Sequence, residues 1–336
     1  MFFYTIRRLI GAIFLLLIMS VATFAIFFAT PTDPARLTCG KNCTPAGIEA
    51  NRKFLGYDQP LYNQYWDFLR GIFHERDFPA DQALRKAHPE QVVKCAAPCL
   101  GYTPYHESLI WTYLKPRIPV TTYLVVGGAI IWLTFGVLLG IMAALFRATL
   151  FDRFVVSLSL LFYSFPTFFI SLLLLQLFVF QFHVFSNPTY VSPSQNFGSF
   201  LYNMILPCVT LASVYIAAYI RLTRTYMLET MNEDYLRTAR AKGLRERTVI
   251  FKHTLRAALT PIVTVAGLDI GFLLAGTPIT ETIFNLRGFS RAAVDSATVF
   301  DLPTTVVIVL IAAIFVIVAN LIVDLLYAVI DPRVRY

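Results

Sequence analysis

Residues 233–261 read EDYLRTARAKGLRERTVIFKHTLRAALTP and form a long basic and polar stretch between two apolar segments. A loop that only joined two membrane helices would need far fewer residues. The stretch contains a short predicted helix, then Gly243, a second basic helix, and Pro261, where we expect the next apolar segment to begin. This length and charge are typical of a surface that binds another protein.

The composition indicates a membrane protein. Of the 336 residues, 57% are hydrophobic and 14% are charged, whereas a soluble domain carries about 25% charged residues. Mean hydropathy is +0.63. Continuous apolar runs near the roughly 20 residues that cross a bilayer predict helices and exclude a barrel of alternating strands. The six predicted spans are residues 9–30, 120–146, 154–182, 201–219, 262–279 and 305–330.

Arginines in the short loops predict the orientation. They lie on one face of the six-span arrangement, which the positive-inside rule assigns to the cytoplasm. These arginines are Arg7, Arg8, Arg147, Arg153, Arg333 and Arg335. Residues 233–261 and both termini lie on the same face, and the long loop of residues 31–118 lies outside. The net charge of +8 therefore reflects orientation and lipid headgroups, and nucleic-acid binding is disfavoured.

The first apolar run has two interpretations, a signal peptide or an uncleaved helix. It is longer than the about 7–15 residues of a signal-peptide core, and no clear small-x-small cleavage site follows. We therefore expect a first transmembrane helix at residues 1–30, an extracytoplasmic loop domain at 31–118, and a five-helix core at 119–336. The core includes a cytoplasmic loop at 220–261.

Four of the five cysteines lie in the outer loop as two CxxxC pairs: Cys39, Cys43, Cys95 and Cys99. In an oxidising compartment they favour two disulfides, with three possible pairings that the sequence leaves open. The alternative is a metal site helped by His88 or His106, although CxxxC is looser than the usual CxxC spacing. Cys208 is expected to be a small buried apolar residue.

The outer loop is predicted to form a small cap of short helices stapled by disulfides. Residues 62–73 place apolar side chains at helical spacing. These side chains are Tyr65, Phe68, Leu69 and Ile72. Two roles stay open for the cap: it shields the mouth of a pore, or it receives a partner that delivers substrate.

Acidic and small residues interrupt the apolar spans. Intramembrane acids usually face the bundle interior or water. Asp324, near the end of the last span, is expected to pair with Lys or Arg, whereas Asp269 fits a structural pairing and a substrate path equally well. Two small-xxx-small pairs permit close helix contact. They are Gly136 with Gly140 and Gly267 with Gly271.

Residues 235–244, YLRTARAKGL, predict a slim helix with Tyr235, Leu236 and Ala239 towards one side. Gly243 suits the end of this helix, where a positive φ is needed. A basic amphipathic helix often lies on anionic lipid. This one has a small apolar face without Trp or Phe, which favours a groove on another protein.

The segment DYLRTARAKGL, followed by TLRAALTPIV, closely resembles the EAA-type coupling loop of bacterial ABC importer permeases. The resemblance is nearest to the dipeptide and oligopeptide branch. Three further stretches agree with it and extend it over nearly all the chain outside the outer loop. They are RRLIGAIFLLL at 7–17, FYSFPTFFISLLLL at 162–175 and ETIFNLRGFSRAAVDSA at 281–297.

The resemblance implies an all-α membrane protein with the six-helix type I permease fold, located in the bacterial inner membrane. It also implies a second homologous permease subunit, cytoplasmic ABC ATPase subunits, and an extracytoplasmic binding protein that supplies peptide. The coupling helix would dock in an ATPase cleft, so that ATP binding and hydrolysis rock the membrane helices. The implied ATPase-coupling residues are Asp234, Tyr235, Thr238, Ala239, Arg240, Ala241, Lys242, Gly243, Leu244 and Pro261.

The chain lacks a GxxxxGK[ST] phosphate loop, so we expect no catalytic residue and no cofactor here, with ATP and Mg²⁺ held by partner subunits. A stand-alone secondary transporter is the main alternative. It would need several intramembrane acids and usually an internal repeat, neither of which the sequence offers. A membrane enzyme would need a polar cluster at one depth, whereas the histidines are scattered along the chain.

Overall fold

The chain folds mainly into helices. The structure, a computed structural model, describes residues 2–28, 33–38 and 44–330, and the side chains of residues 6–28, 33–38 and 44–325. Two compact units are present. The first comprises Met1–Arg8, Thr121–Leu286 and Val316–Tyr336, and the second comprises Leu9–Val120 and Arg287–Phe315.

The helices and strands of the described residues are numbered in chain order. They are α1 Phe2–Phe28, α2 Pro34–Leu37, α3 Pro45–Leu55, α4 Leu61–Phe73, β1 Arg76–Phe78, α5 Gln82–Ala87, β2 Val93–Cys95, β3 Tyr102–Thr103, β4 Ser108–Leu109, α6 Ile110–Leu114, α7 Ile118–Leu145, α8 Leu150–Ser164, α9 Thr167–Leu175, α10 Phe197–Met231, α11 Asp234–Ala241, α12 Glu246–Thr248, α13 Leu255–Ala275, α14 Pro278–Ile283, α15 Phe289–Thr298 and α16 Leu302–Ile330. A 3₁₀ turn at Pro89–Gln91 and π-helical segments at Gln176–Gln181 and Val249–Thr254 complete the helical structure.

Five helical runs of the described chain are long and apolar enough to cross a membrane. They are Ile6–Phe28, Ile110–Leu145, Phe197–Met231, Glu246–Ala275 and Leu302–Leu325. At most 50% of the most apolar window of each run is buried within the chain. The remaining apolar surface of these helices is therefore available to lipid or to other membrane subunits.

The third predicted span, residues 154–182, is wrong as one straight helix. α8 and the helical run Thr167–Gln181 are bent by 98° at the break between them. Pro166 has no N–H to donate and disfavours helical geometry at the residue before it. Phe165 accordingly has an extended conformation, with φ −87° and ψ 134°. The pair is a broken span or a re-entrant loop, so the described part of the chain has five or six candidate spans.

The predicted bounds of two other spans are wrong because hydropathy marks only the apolar part of a helix. α10 extends well beyond the predicted residues 201–219 at both ends and contains Pro207. The fifth span starts much earlier than residue 262, since the helical run begins at Glu246. Pro261 therefore lies inside α13 rather than where the span begins.

The short helices expected between residues 31 and 118 are present as α2–α6. α4 matches the predicted helix at 62–73, and its Tyr65, Phe68 and Leu69 are half-buried. The sequence did not predict the two antiparallel strand pairs, β1 with β2 and β3 with β4. In this second unit, Ile110 and Leu114 of α6 pack with Phe289 of α15 in a buried cluster.

The structure confirms one of the two expected disulfides. Cys95 and Cys99 are bonded, with a Cα–Cα distance of 5.4 Å, and both are buried beside Phe78. Cys39 and Cys43 lie outside the described residues. Cys208 is buried, as expected. The described residues contain no cluster of His, Cys, Asp and Glu that could hold a metal ion.

Glycines allow close helix contacts in the first unit, as their spacing predicts. A Cβ at Gly136 would lie 2.7 Å from the Tyr219 Cβ, and one at Gly140 would lie 2.6 Å from the Thr223 Cβ. α7 therefore packs on α10 at a distance that no larger residue permits. Gly271 similarly faces Ala319, where an added Cβ would lie 2.6 Å from the Ala319 Cβ.

The expected pairing of Asp324 is confirmed. The Arg8 guanidinium lies 3.1 Å from the Asp324 carboxylate. This ion pair joins the start of α1 to the C-terminal part of α16 within the first unit. Both side chains are partly exposed, so the pair fixes position more than it adds stability.

Gly140→Ala is expected to destabilise the first unit by about 1–3 kcal/mol, since the new methyl group overlaps Thr223 and the Ile220 carbonyl oxygen. Thermal unfolding of the purified protein in detergent measures the change. Gly11→Ala is the matched control, because a Cβ at Gly11 has no described neighbour within 4 Å. Equal melting temperatures for the two variants would contradict the close α7–α10 contact.

Candidate functional site

The predicted coupling helix is present as α11. Its Leu236 side chain is fully buried, whereas Tyr235 is 47% exposed. The two residues therefore point to different sides, and the expectation that they share one side is wrong. Consecutive helical residues are about 100° apart, so α11 anchors itself through Leu236 and presents Tyr235 outwards. The surroundings of Tyr235 raise the pKa of its phenol, mainly through partial burial.

A left-handed turn ends α11 at the predicted glycine. Gly243 has φ +76°. Its N–H donates to the Arg240 carbonyl oxygen at 2.9 Å, and the Leu244 N–H donates to the Ala239 carbonyl oxygen at 3.3 Å. These two bonds form a Schellman motif. A Cβ at Gly243 would have no described neighbour within 4 Å, so conformation rather than space favours glycine here.

Ion pairs hold the ends of α11. The Arg240 guanidinium donates to both carboxylate oxygens of Glu246, at 2.9 and 3.2 Å, and thereby links α11 to α12. Arg237 lies 3.4 Å from Asp234 in the first turn. α11 also packs against the π-helical segment Val249–Thr254. The helix is thus held as one piece with the chain that leads into α13.

All but one of the remaining predicted coupling residues lie in or next to α11. They are neighbours of Tyr235 and Gly243 along the chain, and their side chains are exposed or half-buried. They are Asp234, Thr238, Ala239, Arg240, Ala241, Lys242 and Leu244. Pro261 is the exception, because it lies in the interior of α13. The structure therefore joins nine of the ten residues in one short segment, and Pro261 belongs to the helix that follows.

Asp269 has a partner in a neighbouring helix. The Tyr219 hydroxyl of α10 donates to its carboxylate at 2.7 Å. Trp132 of α7 stacks on Tyr215, with ring centroids 4.8 Å apart, and is tilted against Tyr219. These contacts give Asp269 a structural pairing among three helices, and they leave a role along a substrate path as a prediction.

An ion pair between a buried acid and a half-buried arginine in the first unit escaped sequence analysis. The Arg224 guanidinium donates to both oxygens of Asp152, at 2.7 and 2.9 Å. The same carboxylate accepts a bond from the Ala148 N–H at 3.0 Å. Asp152 is 4% exposed, so the pair fixes the α7–α8 turn against α10. The one sequence signal for this ion pair was the position of Asp152 as a single acid between Arg147 and Arg153.

A second buried acid, Glu281, was also missed. Its side chain has no exposed surface. It accepts bonds from the Thr121 hydroxyl at 2.5 Å and from the Thr277 hydroxyl at 3.2 Å. These contacts join the N-terminal part of α7 to α14. The segment that begins at Glu281 contributed to the resemblance, but the sequence did not indicate that this acid is buried.

The chain matches family profiles over almost its whole length. Residues 136–336 match the "Binding-protein-dependent transport system inner membrane component" family. Residues 1–125 match "Binding-prot-dependent transport system membrane comp, N-term". The chain therefore belongs to the inner-membrane permease components of binding-protein-dependent ABC importers, in the dipeptide and oligopeptide group.

Relatives support this assignment across the full chain. The "Glutathione transport system permease protein GsiC" of Escherichia coli (strain K12) is 35% identical over 333 residues, which cover 99% of both chains. The protein of that name from Salmonella typhimurium shows the same identity and coverage.

The protein is thus a multi-pass membrane permease subunit, and the alternative of a stand-alone secondary transporter is wrong. Permeases of this family are not catalytic themselves and work with ATPase and substrate-binding partners.

Arg224→Gln is expected to destabilise the protein by about 3 kcal/mol, because it leaves the buried Asp152 carboxylate without its counter-charge. Arg153→Gln provides the control, since Arg153 is exposed in the first turn of α8, next to Asp152. Surface changes of this kind stay within about 0.5 kcal/mol. Denaturation of both variants in the same detergent measures the difference. Equal stabilities of the two variants would show that the Arg224–Asp152 ion pair does not stabilise the fold.

Proposed function

We propose that residues 233–261 couple this permease to ATP hydrolysis, with α11 seated in a cleft of a cytoplasmic ABC ATPase subunit. The observation that carries the proposal is the position of Tyr235. It is exposed next to the fully buried Leu236, so an aromatic side chain projects from a helix that is anchored on its other side. Exposed aromatic residues of this kind are typical anchors in protein interfaces.

The anchoring also supports a mechanical role. A partner subunit can move membrane helices only through a contact that stays rigid during the movement. Leu236, the Arg240–Glu246 ion pair and the Gly243 turn each restrain α11. Movement of α11 therefore passes to the chain entering α13, and through the Tyr219–Asp269 hydrogen bond to α10.

The complete importer, in this proposal, pairs the chain with a second homologous permease of the six-helix type I fold. Both termini and residues 233–261 face the cytoplasm, and residues 31–118 face outwards, where a binding protein delivers substrate. ATP and Mg²⁺ bind to the ATPase subunits. The absence of a phosphate loop from this sequence supports that division of labour.

We further propose that the transported substrate is a short peptide. The named relatives are glutathione transport permeases, and glutathione is a small peptide. The identity is 35%, and the external binding protein selects the ligand, so the proposal names the class of short peptides and no particular compound.

Tyr235→Ala is expected to reduce substrate-stimulated ATP turnover and uptake by about tenfold or more, because truncating an interface anchor costs 2 kcal/mol or above. The permease should still insert and assemble. Uptake into proteoliposomes that contain all subunits gives the measurement, and Tyr235→Phe is the matched control. Unchanged uptake in Tyr235→Ala would refute docking through this side chain.

Gly243 allows an independent test of the turn. Gly243→Pro should uncouple transport, because proline holds φ near −65° and cannot adopt the observed +76°. Gly243→Asn should retain most activity, since asparagine tolerates the left-handed region. ATP turnover with and without substrate, in the assembled complex, distinguishes the two. Normal coupling in the proline variant would exclude this turn from the mechanism.

A further inference from the structure

The second unit contains a cavity lined by aromatic side chains. Its volume is about 70 Å³. One water molecule needs about 10–15 Å³, so the cavity is several times larger. The cavity therefore has room for several heavy atoms. The aromatic rings that line it are Phe24, Phe28, Tyr57, Phe68, Phe78 and Tyr102.

Two opposite charges also line this aromatic cavity. Asp67 of α4 and Arg76 of β1 are both half-buried. Among the described residues, neither forms an ion pair or a side-chain hydrogen bond, and the two charges interact only electrostatically. The Arg76 guanidinium lies 5.4 Å from the centre of the Phe78 ring. Burial lowers the pKa of Arg76, yet an arginine in a protein keeps its charge.

A third polar group in the wall lacks a partner. The Tyr57 hydroxyl is buried and forms no hydrogen bond with any described residue. Its ring contacts Phe28, with the centroids 5.5 Å apart. Buried polar groups without partners are rare in folded proteins, and each one asks for an explanation. A polar ligand in the cavity would supply one.

The wall of the cavity is held in place by covalent and backbone contacts. Phe78 packs beside the buried Cys95–Cys99 disulfide. The Cys99 N–H donates to the Gly71 carbonyl oxygen of α4 at 2.8 Å. β1, which carries Arg76, pairs with β2, and Cys95 of β2 is bonded to Cys99. β1 is therefore linked through Cys99 to α4, which carries Asp67. A site whose charged groups are fixed before binding loses less entropy when a ligand enters.

We propose that this cavity binds a small zwitterion with an apolar side chain, such as a free amino acid or the terminal residue of a short peptide. Arg76 receives the carboxylate, Asp67 receives the ammonium group, and the aromatic rings cover the side chain. A guanidinium pairs well with a carboxylate because its N–H groups form parallel bonds to both oxygens. The inference does not depend on ATPase coupling through α11.

Three probes of matched shape test the proposal: L-leucine, 4-methylpentanoate, which lacks the ammonium group, and 3-methylbutylamine, which lacks the carboxylate. Each is titrated calorimetrically into the assembled complex in nanodiscs without nucleotide. L-leucine should bind more tightly than either single-charge analogue. Absence of leucine binding, or equal affinity for either analogue, would overturn the assignment.

Variants locate the binding. Arg76→Gln should weaken leucine binding by about tenfold or more, as expected when a charge-assisted hydrogen bond is lost. Asp67→Asn should weaken leucine binding but leave 4-methylpentanoate binding unchanged, which gives a second test if Arg76→Gln folds poorly. Arg70→Gln and Asp58→Asn are matched controls, since both residues are exposed and outside the cavity. Leucine binding that persists in both cavity variants would place the ligand elsewhere and refute the site.

Discussion

The close contact between α7 and α10 is the constraint on which the first unit depends. Gly136 and Gly140 let the two backbones approach so nearly that an added methyl group would overlap Tyr219 or Thr223. Lipid offers apolar side chains no advantage for burial, so membrane helices associate largely through such close packing. Tyr219 and Arg224 lie on the helix positioned in this way, and their partners in α13 and α8 follow from it.

This packing supports the segment that we propose as the contact with the ATPase. α10 ends at Met231, and α11 begins three residues later at Asp234. α11 is then held by a buried leucine, an ion pair and a left-handed turn, and it leaves an aromatic side chain exposed. A short amphipathic helix on a rigid support suits the transfer of movement between subunits, since interfaces that carry such movement shift as packed bodies.

The second unit uses different means of stabilisation. Its elements are short, and an aromatic cluster with a disulfide replaces the long helix contacts. Short elements bury little apolar surface each, which is where a covalent link contributes most. The same arrangement places Asp67 and Arg76 in the wall of one cavity. The zwitterion site that we propose lies in this unit.

Local patterns in the amino-acid chain were enough to predict that apolar spans exist, together with the helix α4, the close-packing glycines and the positive φ of Gly243. Hydropathy and backbone preference act over a few neighbouring residues, so they can be read without coordinates. Folding in three dimensions settled the 98° bend at Pro166, the outward position of Tyr235 beside the buried Leu236, and the partners of Asp152 and Glu281. Asp152 and Arg224 are 72 positions apart, and their meeting depends on how two helices rotate and align. No short-range pattern encodes that rotation.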